Sequence, residues 1–421
     1  MDVIIGGMHP QKAPVTIPSS KSISHRMLIG AALAEGTSVL HGIDMNDDIQ
    51  ATAEALCRLG AAVECNGDVL TVTGGMIRPD GTAICCGESA STLRFLIPVS
   101  ALSDQKTVFT GRGRLMERPL QIYEEIFSRQ ALLFERKNDT LTVQGPLRGG
   151  TFEIDGNISS QFISGLLFAL PLVHEDSRII IRPPFASASY VRLTADVLSH
   201  AGICITETAD GFLIPGKQKY RPFEMKAEGD DSQAAFFAVL SAISGRELQA
   251  DNMRHDSRQG DHVILRILRD MGCAYEETES GYRFLPGHLH GTEIDLGDCP
   301  DLGPVLFALA SQAEGETVFL HAGRLRLKES DRIAAMETEL RKLGCIISSS
   351  EDTVRVHGKT AIRGNTVLDG HGDHRIVMAL SVLSAIADGP VRISGAEAVN
   401  KSYPSFFEDF RKAGGEADEY Q

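Results

Sequence analysis

The sequence predicts an α/β protein of two domains, each built from three repeated units, and three observations carry that reading. The chain has 421 residues, more than one ordinary hydrophobic core serves, which points to two or three domains. Apolar and charged contents of 43% and 23% are those of a soluble globular protein. A pair of motifs recurs along the chain at a constant step.

That step is about 71 residues. The stretches TVTG, TVQG, LIPG, FLPG and RVHG end at Gly74, Gly145, Gly216, Gly287 and Gly358, each 71 residues after the one before. A second series reads CRLGAAVE, SRQALLFE, SHAGICIT, RDMGCAYE, RKLGCIIS and RKAGGEAD. It centres on Gly60, Ala131, Gly202, Gly272, Gly344 and Gly414, with steps of 70 to 72. Two motifs stepping in phase define six units.

The elements of a unit follow in order. Each opens on an apolar helix: MLIGAALA, RFLIPVSAL, SGLLFALPL, AFFAVLSAI, PVLFALASQA or IVMALSVLSAI. A helix that is apolar all round must be buried. A short strand follows (TSVL, KTVFT, SRIII, RELQA, ETVFL, PVRI). A second helix, amphipathic in ESDRIAAMETELRKL, ends in the glycine that caps a helix in the left-handed conformation. Two strands then flank a polar turn (NGD, KND, TAD, ESG, SED), a hairpin signal. The period exceeds that of the usual solenoids, and six such units make two domains of three.

Several classes are excluded. No apolar run approaches the roughly 18–20 residues of a membrane span, and MDVIIGGMHPQKAP lacks the shape of a signal peptide. A cytoplasmic protein is expected. A net charge of −15 argues against a nucleic-acid partner. The eight cysteines, with Cys85 and Cys86 adjacent, show no zinc spacing, and Cys204, Cys273 and Cys345 read as reduced core thiols. There is no GxxxxGK[ST], no GxGxxG between strand and helix, and no GxSxG. The acids lack metal-ligand spacing. No cofactor and no metal are expected.

The chemistry collects where the helices begin. The six starts of the first helices read SSKSISHR (19–26), GESASTLR (87–94), GNISSQF (156–162), GDDSQAA (229–235), DCPDLGP (298–304) and GHGDHR (370–375). Helix N-termini offer unpaired N–H groups and partial positive charge, so they suit anions. Arg26, Arg94 and Arg375 recur near the same phase. The junctions into the second helices, GRGRLMERP (111–119), PPFASASYVR (183–192), GRLRLKESDR (323–332) and VNKSYP (399–404), add Arg112, Arg114, Arg118, Arg324, Arg326, Lys328, Arg332 and Lys401. Asp301, Glu329 and Asp373 stand among them as acid/base candidates.

Taken singly, each feature has an ordinary explanation. Ser19 or Ser22 would be a helix cap, and His374 a structural side chain. Glu329 with Arg332 has the spacing of a surface ion pair worth about 0–1 kcal/mol. Recurrence at equivalent phases of the repeat favours a shared site instead. Roughly eight cations meeting few acids would suit ligands with several negative charges.

The segments SSKSISHR, ERP, SSQF, CPD, RLKESDR, GDHR and NKSYP resemble, in order and spacing, the signatures of the 5-enolpyruvylshikimate-3-phosphate synthase family, over about residues 10–410. The resemblance implies the enolpyruvyl transferase fold, an inside-out α/β barrel of two domains with three βαβαββ units each. The expected domains are 19–225 and 1–18 with 226–421, with the active site in the cleft between them. The implied reaction transfers the enolpyruvyl group of phosphoenolpyruvate to the 5-hydroxyl of shikimate 3-phosphate, releasing phosphate. These two small molecules are the expected partners of a monomer.

Residue roles follow from the same resemblance. Lys21 contacts both substrates, and Ser22 and Arg26 hold the shikimate carboxylate. Ser159, Ser160, Gln161, Ser187 and Tyr190 hold the shikimate phosphate and ring, with Lys328 nearby. Arg118, Arg332, Arg375 and Lys401 clamp phosphoenolpyruvate, which Gln161 also touches and Ala90 adjoins. Asp301 takes the proton of the attacking hydroxyl. Glu329, Lys21 and Lys401 manage the proton at the methylene carbon.

Four positions depart from the family pattern. Glu88 and Arg324 stand where asparagine is common, and His25 replaces another asparagine, a change expected to matter little. Ala90 replaces glycine, and its methyl would narrow the space used by the inhibitor glyphosate. Two rival readings stand beside this one. The enolpyruvyl transferase acting on UDP-N-acetylglucosamine usually carries a loop cysteine, which GRGRLMERP lacks. A non-catalytic polyanion-binding protein would not need Asp301 and Glu329 among its cations.

Overall fold

The structure, a computed structural model, describes residues 1–420. The chain divides into two compact units, Ser19–Ala227 and Met1–Pro18 with Glu228–Gln421. Within them lie six four-stranded sheets, three to a unit.

Every sheet repeats one plan. In the Lys106–Thr110 sheet, the strand after the first helix runs parallel to the short strand Ile84–Cys85 on one side. On its other side it pairs antiparallel with Thr140–Gln144, which pairs in turn with Leu133–Lys137 as a hairpin. Three sheets borrow a strand from elsewhere in the chain: in one, Val15–Thr16 runs parallel to Leu248–Asp251. Glu224–Lys226 runs parallel to Gly36–His41, and Ala227 N–H donates to the His41 carbonyl, so this segment packs in the Ser19–Ala227 unit. Asp2–Met8 lies between Val391–Ser394 and Gly415–Tyr420 in the sixth sheet. The last repeat therefore lacks its own fourth strand, and the first residues of the chain supply it.

The first helices are Lys21–Leu33, Ala90–Ser100 and Ser160–Ala169 in one unit, and Asp231–Ser244, Gly303–Ala310 and His374–Ser384 in the other. All are buried along nearly their whole length. Each unit has its own continuous core around them. Removing one such side chain, as in Leu166→Ala, leaves a cavity costing about 2–5 kcal/mol. The second helices show one apolar face: Ile333, Ala335, Met336 and Leu340 are the buried aliphatics of Arg332–Lys342.

The two glycine series have different causes. Gly344 has φ +95° and closes the Arg332–Lys342 helix in a conformation that side chains avoid. Ala131 occupies the same phase with φ +54°. Gly358 is instead a close-approach position, where an added Cβ would stand 1.9 Å from the Ala313 carbonyl oxygen.

Candidate active site

In the Ser19–Ala227 unit, Ser20 takes an extended conformation and starts the Lys21–Leu33 helix, so Lys21, Ser22 and Arg26 occupy its first two turns. Lys21 Nζ lies 2.7 Å from Asp48 Oδ2, with both side chains largely buried. Asp48 comes from the first turn of the Asp47–Arg58 helix, which Asn46 caps by accepting from Ile49 N–H at 3.1 Å.

Arg26 is 2% exposed. Its Nε donates to Thr194 Oγ1 at 2.8 Å, Nη1 to the Ser22 carbonyl at 2.5 Å, and Nη2 to the Tyr190 carbonyl at 2.8 Å. The Phe95 ring centre is 5.0 Å from the guanidinium carbon. Hydroxyls, carbonyls and a ring thus surround a buried cation, and burial pulls its pKa down to about 10. Among the described residues no carboxylate forms an ion pair with it.

Ser159 caps the Ser160–Ala169 helix, accepting from Gln161 N–H at 3.3 Å. Ser160 is buried, and the Gln161 carboxamide lies between Arg94 Nη1 at 2.8 Å and Ser91 Oγ at 3.0 Å. Ser187 precedes the Ala188–His200 helix at φ +56°, an uncommon conformation for a side-chain-bearing residue. Tyr190 lies in the first turn of that helix. Ala90 is the buried first residue of Ala90–Ser100, behind the Ser89 cap. Arg118 follows the tight turn Leu115–Glu117, extended as a residue before proline must be.

In the other unit the cations are tied to acids. Arg332 is 1% exposed and meets three carboxylates. Nη1 is 3.0 Å from Asp301 Oδ1, Nη2 is 2.8 Å from Glu329 Oε2, and Nε is 2.8 Å from Asp373 Oδ2. Asp301 also takes Lys328 at 2.9 Å and Arg375 at 3.4 Å. Lys401 Nζ stands 3.5 Å from Glu329 Oε1, so Glu329 bridges Arg332 and Lys401. Asp373 is fully buried; it caps His374–Ser384 through Arg375 N–H and accepts from Ser330 Oγ at 3.0 Å. Arg375 Nη2 also donates to Ser232 Oγ at 2.9 Å.

This network sets the protonation states. Burial alone would push the Asp301 carboxyl up, but Arg375, Lys328 and Arg332 together hold it well below the usual range. Burial lowers Lys328, against the pull of Asp301. Arg332 is raised despite its burial, because Asp373, Glu329 and Asp301 favour its charge.

The structure corrects five expectations. Cys204 is exposed, whereas Cys273 and Cys345 are buried as core thiols. The cations of this cluster do not meet few acids: Asp301, Glu329 and Asp373 nearly match Lys328, Arg332, Arg375 and Lys401. Glu329 with Arg332 is no surface pair, since both are sequestered within a network. Arg326 turns away to Asp331 and the Ser350 carbonyl. His25 is not inconsequential. It is wholly buried, its Nδ1 lies 2.7 Å from Thr52 Oγ1, and burial lowers its pKa to about 3.

Sequence reasoning missed Asp48, Thr194, Ser232 and the scaffold role of Asp373. Asp48 reads as an ordinary first-turn acid, and Thr194 sits 168 residues from the arginine it touches, beyond any local signal. Only the phase shared by Arg26, Arg94 and Arg375 hinted that Arg94 belonged here.

The chain as a whole matches a known family. The family model of EPSP synthase (3-phosphoshikimate 1-carboxyvinyltransferase) aligns with residues 5–410. The chain belongs to the EPSP synthase family. A 3-phosphoshikimate 1-carboxyvinyltransferase of Clostridium kluyveri is 43% identical over 413 residues, 96% of each chain. That of Clostridioides difficile is 40% identical over 429 residues, 98% of each. Among solved structures, EPSP synthase from Acinetobacter baumannii superposes with TM-score 0.82 at 26% identity, covering 100% of both chains. The enolpyruvyl transferase NikO from Streptomyces tendae, at 16% identity and TM-score 0.81 over 99% of this chain and 98% of its own, shares the fold. The mixed α/β fold of six small sheets is that of this family.

Proposed function

We propose that this chain transfers the enolpyruvyl group of phosphoenolpyruvate to the 5-hydroxyl of shikimate 3-phosphate, and that the two charged clusters act on one pair of substrates in the cleft between domains. The observation that carries the reading is the Asp301 carboxylate held ionised among Lys328, Arg332 and Arg375, with Glu329 bridging Arg332 and Lys401. Orienting buried cations accounts for acids such as Asp373, but an anion receptor has no use for a carboxylate placed to take a proton from a bound hydroxyl.

Both substrates carry a carboxylate and a phosphate. In the Ser19–Ala227 unit, Arg26 offers its uncompensated charge to the shikimate carboxylate, with Ser22 beside it. Ser159, Ser160, Gln161, Ser187 and Tyr190 take the phosphate and ring, and Lys21 serves both substrates. Arg118, Arg332, Arg375 and Lys401 clamp phosphoenolpyruvate beside Ala90, with Lys328 near the shikimate. Each charge-assisted hydrogen bond contributes about 1.5–3 kcal/mol. Alignment of two mutually repelling anions lowers the barrier by up to roughly 7–11 kcal/mol.

The cations that keep Asp301 ionised also make it a weak base. Anionic substrates shared with Arg332, Arg375 and Lys328 relieve that field and raise its basicity. Asp301 then takes the 5-hydroxyl proton as the oxygen bonds to C2 of phosphoenolpyruvate. A proton from the group of Lys21, Glu329 and Lys401 goes to C3, giving a tetrahedral intermediate. Loss of phosphate from C2 and of a proton from C3 restores the double bond in the product.

The test is phosphate release from both substrates together. The reading predicts release that stops when shikimate 3-phosphate is omitted. Release with UDP-N-acetylglucosamine in its place would assign the other transferase, and none with either would leave a polyanion-binding protein. The methyl of Ala90 is expected to exclude glyphosate, so Ala90→Gly should sharpen inhibition. Micromolar inhibition of the unaltered chain at low phosphoenolpyruvate would refute that. A cytoplasmic monomer completes the proposal, checked by sedimentation and fractionation.

A further inference from the structure

Arg94 lies in the buried Ala90–Ser100 helix, 6% exposed, and has no role in the chemistry above. Its surroundings explain why a guanidinium is buried there. Nη1 donates to Gln161 Oε1 at 2.8 Å, and Nη2 donates to the Pro119 carbonyl at 3.0 Å. The guanidinium carbon stands 4.9 Å from the centre of the Phe162 ring, the residue after Gln161. The rest of the residue is fixed too: Tyr123 donates its hydroxyl to the Arg94 carbonyl at 2.7 Å. The helices meet closely at Gly165, where a Cβ would stand 2.6 Å from that same carbonyl oxygen.

We infer that Arg94 is a positioning residue that sets the phosphoenolpyruvate side of the site by orienting the Gln161 carboxamide and pinning the backbone that follows Arg118. The inference rests on the functional reading above. A carboxamide can sit either way round, and the two orientations offer a ligand opposite partners. Arg94 takes the oxygen of Gln161, and Ser91 Oγ accepts from Nε2 at 3.0 Å. The second N–H of Nε2 is then the group left for a ligand, which suits an anion. The second arm of the fork holds the carbonyl of Pro119, one residue past Arg118, so two phosphoenolpyruvate contacts share one guanidinium. A lysine is a single point donor and cannot make both bonds in fork geometry.

Arg94→Lys tests this, with KM for phosphoenolpyruvate, kcat, and Kd for shikimate 3-phosphate measured without phosphoenolpyruvate. The expected result is KM raised about tenfold or more, since charge-assisted bonds are at stake, with kcat moved less than about threefold. Kd should rise several-fold less than KM, because Gln161 touches both substrates whereas the Pro119 bond serves Arg118 and phosphoenolpyruvate alone. Unchanged KM, or Kd rising as much as KM, would overturn the inference, because general loosening does not choose between substrates. Should the lysine variant fold poorly, Ser91→Ala removes only the other bond that fixes Gln161, and a smaller rise in KM is expected; no rise overturns the proposal. An unaltered enzyme that turns over beside an unchanged Arg94→Lys variant sinks this inference alone. An unaltered chain that releases no phosphate sinks the functional reading and this with it.

Discussion

Arg26 and Arg332 are both almost wholly buried, yet they keep opposite company. Arg332 touches three carboxylates, and its charge is favoured although burial alone would oppose it. Arg26 touches hydroxyls, carbonyls and a phenyl ring, and its pKa falls. The contrast teaches two ways of presenting a cation. Arg332 is locked into a scaffold whose acids hold its direction before any ligand arrives. Arg26 has been stripped of water without receiving a counter-charge, so a carboxylate brought beside it would supply the missing half of an ion pair. The first design favours geometry; the second favours affinity.

Four experiments break or sharpen that comparison, taken from the largest effect down. Asp301→Asn should lower turnover by about 10²–10⁴, the usual worth of a positioned acid or base, while shikimate 3-phosphate still binds in calorimetry. Unaltered turnover would reduce the acids to scaffolding. Because the Asp301 carboxyl is held well below its ordinary value of about 3.9, it stays ionised through the working range, and acid loss of kcat/KM above about pH 4 must come from other groups.

Asp373→Ala leaves Arg332 short of its fully buried partner and should cost about 3–5 kcal/mol in urea unfolding. A loss under about 1 kcal/mol would mean the network is not structural. Arg26→Met should weaken shikimate 3-phosphate binding by about 1.5–3 kcal/mol, with KM for phosphoenolpyruvate little changed. Equal loss for both ligands would contradict the division of labour.

The smallest effect concerns His25. Its folded pKa of about 3 lies below the ordinary 6.5, so the unfolded chain takes up a proton that the folded chain refuses. The associated stability is complete above pH 6.5 and is lost as pH falls towards 3. On the order of 2 kcal/mol should disappear by pH 5. His25→Asn should flatten this acid limb in unfolding curves at pH 7.5 and 5; an unchanged slope would place the acid sensitivity elsewhere.

How much of this was legible beforehand depends on the range of the interaction. Gly344 and Gly358 mark local backbone demands, a left-handed cap and a close approach, and their spacing alone exposed the sixfold repeat. The apolar first helices announced their own burial. The cation-rich helix starts, the capping serines and the segment RLKESDR were visible for the same reason: a helix start is a local event. The pairing of each cation was not visible. His25 looked incidental in the chain because its partner, Thr52, belongs to another helix.

By itself, the sequence determined the units, their order, the buried and exposed faces, and which side chains could carry charge to the helix starts. These follow from backbone conformation and from the exclusion of apolar surface from water, both of which act over a few neighbouring residues. Only the tertiary structure decided that Asp2–Met8 completes the last sheet, that Arg332 receives three acids, and that Arg26 receives none. Coulombic and hydrogen-bond energies depend on separation in space, and the 168 residues between Arg26 and Thr194 say nothing of the 2.8 Å between their atoms.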